Sequence, residues 1–176
     1  MRLGKTTQDY QEADELLESL KGFQQRFGSK VIPNKDRVAA EITYNKYDIF
    51  KKLFSWYLYV GSFFFVLLIV QIFKDNKFIR AAISFFKGAA FLLFVLHTAG
   101  LAARWFISGH APWSDAYESM IYVAWATVLF GILFGRKSNL TFAATTFVAS
   151  MILMIAHWNW MDPAIANLQP VLDSYW

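Results

Sequence analysis

The residues of this chain best suited to chemistry lie close together. The run "SGHAPWSDAYES" holds an imidazole at His110, an indole at Trp113, a carboxylate at Asp115, a phenol at Tyr117 and a second carboxylate at Glu118. Pro112 stiffens the backbone just before Trp113, so the loop can present aromatic faces and acid–base groups on a restrained frame. No spacing in it resembles a metal-binding pair of the kind that holds zinc. Two further histidines stand elsewhere. His97 falls inside an apolar run, where an ionisable group is expensive: it is either a functional residue or a neutral imidazole bonded to a neighbouring helix. His157 sits beside Trp158 and Trp160, an interfacial setting. There are no cysteines, which removes thiolate nucleophiles, disulfides and cysteine metal sites.

The elements that must position these groups are set by composition. Of 176 residues, 56% are hydrophobic, 19% aromatic and only 17% charged, too apolar for an ordinary soluble domain. The apolar residues come in blocks near 53–73, 84–103, 116–135 and 140–160. Each is about the 20 residues that a helix needs to cross the hydrocarbon layer. The expected fold is all-α: a polytopic membrane protein with about four transmembrane helices over 53–176, preceded by an amphipathic helical region over 1–52. In that region Thr6 or Thr7 can cap a first helix through Tyr10, Leu17 and Phe27, with Gly28 as a left-handed terminator. Asn34 can cap a second helix, which runs through "YNKYDIFKKLF" into the first span.

Orientation follows from the short connections, since cytoplasmic loops are enriched in Lys and Arg. "KDNKFIR" contributes Lys74, Lys77 and Arg80, and "GRKSN" contributes Arg136 and Lys137. The connection carrying His110 has Arg104 balanced by Asp115 and Glu118. Both basic turns are therefore expected inside, and both chain ends outside. Residues 1–52 have no apolar leader of their own, so the expectation is that upstream spans in a longer polypeptide export them. Trp105, Trp113, Trp158, Trp160 and Trp176 then all map to the outer side, forming either a one-sided aromatic belt or a platform for a large flat ligand.

"LHTAGLAARWFISGHAPWSDAYESMIYVAW", followed by "NWMDPAIANLQPVLDSYW", resembles the front part of the cytochrome c biogenesis protein CcsA, also called ResC, in the form fused behind a ResB-like half in System II. "SKVIPNKDRVAAEITYNKYDIFKKLF" is similar to the segment leading into that half. The resemblance implies a heme lyase system that handles heme in the membrane and supports its covalent attachment to apocytochrome c on the outer face. The implied partners are heme, apocytochrome c, the ResB-like half, the remaining CcsA segment and the lipid bilayer, with no nucleic acid. The family's tryptophan-rich WWD segment and first external heme histidine are expected beyond Trp176. Trp158, Trp160 and Asp162 imitate the signature without taking its role. His110, Trp113, Asp115, Tyr117 and Glu118 are the candidate outer vestibule, and His97 a further heme-contact candidate. This chain alone is expected to be inactive and to bind heme weakly. The competing expectation is a non-enzymatic membrane scaffold or transporter subunit anchored by its aromatic belt.

Overall fold

The structure, a computed structural model, describes residues 10–28, 34–135, 138–158, 161 and 163–165. Six helices occur among them, and no strand. Two compact units divide the chain, residues 1–39 and 40–176.

The first unit holds α1, Gln11–Phe27, whose acidic first turn (Glu12, Asp14) and basic last turn (Arg26) complement the helix dipole. Gly28 closes its last turn by donating to Gln24 at 2.7 Å, but at φ −108° and not in the left-handed region that the sequence suggested. The 5→1 bond is made without reversing the backbone, so glycine is not required there for its conformational freedom. Thr6 and Thr7 lie outside the described residues. Helix α2, Lys35–Tyr47, crosses the division between the units and begins with the Asn34 carboxamide accepting from Asp36 N–H at 3.4 Å.

In the second unit, α2 does not run smoothly into the first span. Asp48 adopts φ 42°, the left-handed region, and separates it from α3, Ile49–Phe73. Short polar side chains tolerate this conformation better than most L-residues. Then follow α4, Lys77–Ser108, α5, Ala116–Phe134, and α6, Asn139–His157. Four helical stretches are long and apolar enough to cross a membrane: α2–α3 together, α4, α5 and α6. This is a multi-pass membrane protein. Three of the helix starts carry the caps their sequences offer. Asn76 accepts from Ile79 N–H at 2.7 Å, Asp115 from Glu118 N–H at 2.6 Å and Ser138 from Thr141 N–H at 3.3 Å.

Packing is centred on α6, which lies along both α3 and α5, while α4 lies against α3. Close approach depends on small residues, as is usual between helices in lipid. A Cβ built on Gly61 would stand 2.8 Å from the backbone nitrogen of Phe147. Phe64 and Phe142 meet edge-on, and Ile121, Ala124, Val128 and Leu153 are buried in the same core. Helix α4 extends well past Ala103, where the apolar run ended, so that Arg104 stands inside the helix and not in the loop.

Candidate functional site

Arg104 is fully buried, and its guanidinium fastens three separate pieces of chain. Nε donates to Glu118 Oε1 at 2.7 Å. The two terminal nitrogens donate to the carbonyls of Pro163, at 2.9 Å, and Ala164, at 3.1 Å. Asp115 Oδ2 lies 3.9 Å away, and the Tyr117 ring centroid 5.1 Å from Cζ. A desolvated guanidinium is tolerated where its fork of donors meets acceptors in this manner. The local sequence accounts for the pairing: Arg104 is in the last turns of α4, and Glu118 opens α5 after a short connection that Gly109 turns at φ 78°.

Glu118, 1% exposed, uses both oxygens, since Oε2 accepts from Ser114 N–H at 2.9 Å and from Ser114 Oγ at 2.5 Å. With Asp115 engaged as the cap of α5, the two carboxylates form a clasp and offer no idle general base. Ser108 locks the other end of the loop, its hydroxyl donating to His110 O at 2.9 Å. Thus Arg104 and Ser114, which sequence reasoning did not single out, organise the group that it did. The signal for Arg104 was available: a charge at the end of an apolar run requires a partner, and two acids follow within 14 residues.

The structure brings Asp115, Tyr117 and Glu118 together around Arg104 and keeps His110 beside Ser114, with His110 Nδ1 3.4 Å from Ser114 Oγ. His110 Nδ1 also lies 3.1 Å from the Ala111 carbonyl, which can only accept, so this nitrogen carries the proton; Nε2 is buried without a protein partner. Trp113 points away, 62% exposed, and begins an aromatic ladder down the flank of α5. It meets Tyr122 edge-on at 5.8 Å, Tyr122 stacks on Trp125 at 5.5 Å, and Trp125 stacks on Phe94 at 5.7 Å. Trp160, Asp162 and Trp176 lie outside the described residues.

His97 is not part of this group. It is fully buried, its Nε2–H donates to Ile121 O on α5 at 3.1 Å, and its ring packs between Phe50 and Tyr57. His97 Nδ1, His110 Nε2 and His157 Nδ1 are buried ring nitrogens without a hydrogen-bond partner among the described residues. No group of three or more His, Cys, Asp or Glu side chains is placed to hold a metal ion among the described residues. A cavity of about 300 Å³ opens beside the clasp, bounded by Tyr44, Asp48, Phe50, Tyr117, His157 and Pro163 among others.

Fold and clasp together define a polytopic membrane protein whose one end is organised by a buried arginine and a polar aromatic loop. Its sequence is similar to those of cytochrome c biogenesis proteins. No family model matches the chain. Protein NrfI of Wolinella succinogenes is 39% identical over 170 residues, covering 95% of this chain and 18% of that protein. The cytochrome c biogenesis protein CcsA of Lotus japonicus is 32% identical over 83 residues, or 44% of this chain and 26% of the relative. CcsA of Prochlorococcus marinus subsp. pastoris is 27% identical over 118 residues, or 65% and 38%. The chain thus spans well under half the length of each of these curated relatives.

Proposed function

We propose that this chain forms the scaffold and part of the outer vestibule of a membrane cytochrome c synthase, a heme lyase that supports attachment of heme to apocytochrome c. The supporting observation is the Arg104–Glu118 clasp, which fixes the loop from His110 to Asp115 to the bundle and leaves Trp113 exposed at its edge. The similarity to proteins named for cytochrome c biogenesis supports this reading. In this reading the clasp end faces the periplasm and the turn bearing Lys74, Lys77 and Arg80 faces the cytoplasm, in the inner membrane. Residues 1–52 and the C-terminal end lie on the periplasmic side. Trp113 provides an apolar face for the wall; Tyr117, Asp115 and Glu118 position it through Arg104; His110 holds the loop's shape. The iron ligands come from other segments of the synthase, such as the remaining CcsA portion, with a ResB-like half as partner.

The test is Trp113→Ala in cells whose cytochrome c maturation depends on the protein containing this segment. The expected result is less heme-stained c-type cytochrome with the same amount of inserted protein. Undiminished maturation rejects a role for Trp113 in the vestibule.

A further inference from the structure

The seam between α3 and α6 carries two cavities, neither of them shared with the clasp. One, of about 460 Å³, is bounded by Lys51, Phe54, Ser55, Met154, His157 and Trp158. The other, of about 320 Å³, is bounded by Ser62, Phe65, Val66, Ala144, Phe147 and Val148. On α3 the lining positions 51, 55, 62 and 66 recur at helical intervals, as do 147 and 154 on α6, with Trp158 just past its end, so both cavities lie on one stripe of the same helix pair. Eleven residues separate Ser55 from Val66, about 16 Å along the helix. That is roughly half of the hydrocarbon thickness of about 30 Å, the depth of a single leaflet.

The chemistry changes along this path. At its mouth an exposed lysine and a serine hydroxyl stand beside an exposed tryptophan, the combination that settles at the headgroup level. Deeper, the lining is aromatic and aliphatic, and the small residues Ser62 and Ala144 leave a depression between Phe65 and Phe147. A cation at the end of a helix seam that carries two cavities over about one leaflet's depth is complementary to an amphiphile with a negative head and a hydrocarbon tail. Among the described residues no carboxylate pairs with Lys51, and a lipid phosphate supplies the counter-charge. We propose that the α3–α6 groove is a binding site for an anionic phospholipid, with its phosphate at Lys51 and Ser55 and an acyl chain over Ser62 and Ala144. The site is independent of the heme-attachment reading.

The test uses the full chain reconstituted with phosphatidylglycerol or phosphatidylcholine carrying a photoactivatable acyl chain, with cross-linked residues mapped by mass spectrometry. Phe91 on α4, 52% exposed and outside the groove, is the reference for general lipid contact. Labelling at residues 62–66 and 144–148, relative to Phe91, should favour phosphatidylglycerol about fivefold, the effect of one basic side chain on an anionic lipid. Lys51→Glu, a surface change, should abolish that preference while leaving the helical circular dichroism intact. Ala144→Phe should reduce groove labelling by both lipids. Equal labelling by the two lipids in the unmodified chain overturns the proposal. So does a groove that stays unlabelled while Phe91 reacts, which would mean that a protein segment or a second copy covers the seam.

Discussion

A guanidinium removed from water loses more than one carboxylate usually returns, and Arg104 is accommodated by the sum of its partners. The consequence is asymmetric. Arg104→Leu or Glu118→Leu alone strands a buried charge and should destabilise the bundle by about 3–5 kcal/mol, whereas the double substitution should cost much less than their sum. Unfolding equilibria of the four proteins in mixed micelles measure this directly, and additive losses would refute the clasp as the dominant interaction. The same pair shows where reading the sequence stopped. His110 through Glu118 stood out because polar and aromatic types crowd together, and that crowding needs no coordinates to be seen. Arg104 was taken for a loop charge because hydropathy ends a span at the first cation, and only tertiary pairing reveals that the helix carries it inward. His97 likewise offered two readings, and its Nε2 contact with Ile121 O is the bond to a neighbouring helix that one of them foresaw.

At the level of helices, the apolar runs were enough to find α3, α5 and α6 within a few residues at most ends, since crossing length is a property of the run itself. Helix α4 was longer than its run at both ends, because Asn76 caps it before Lys77 and Gly109 ends it after Ser108. The break at Asp48 had only a weak local signal, an aspartate that tolerates the left-handed region, and no glycine marks it in "NKYDIFK". Helix contacts were also illegible, and they decide which glycines matter. Gly61 faces Phe147 backbone across the α3–α6 crossing, while Gly88 on α4 has nothing within 4 Å of its would-be Cβ. Gly61→Ala should therefore cost about 1–3 kcal/mol by forcing the helices apart. Gly88→Ala should be neutral or stabilising by up to about 1 kcal/mol, through reduced backbone freedom. Thermal unfolding followed by circular dichroism compares the two, and equal effects would contradict the close crossing.

For the molecule as a whole, the alternation of four spans ties the sidedness of one connection to that of all the others. The chain lacks cysteine, so single cysteines at Ser108 and Asp75 report cleanly. A membrane-impermeant maleimide should label the first in intact spheroplasts and the second only after permeabilisation; the reverse pattern would invert the proposed orientation.

Arg104's contacts are also ordered in time. A ribosome completes Glu118 only 14 residues after Arg104, so the ion pair can form within a nascent hairpin of α4 and α5. The Pro163 carbonyl, 59 residues after Arg104, is made 45 residues later than Glu118. At about 5–20 residues per second that is a wait of roughly 2–9 s. During this interval α6 must still be synthesised and delivered, while two of the guanidinium's nitrogens lack their eventual acceptors. The clasp is thus assembled in two stages, charge neutralisation first and closure by the carbonyls last, when the segment after α6 arrives.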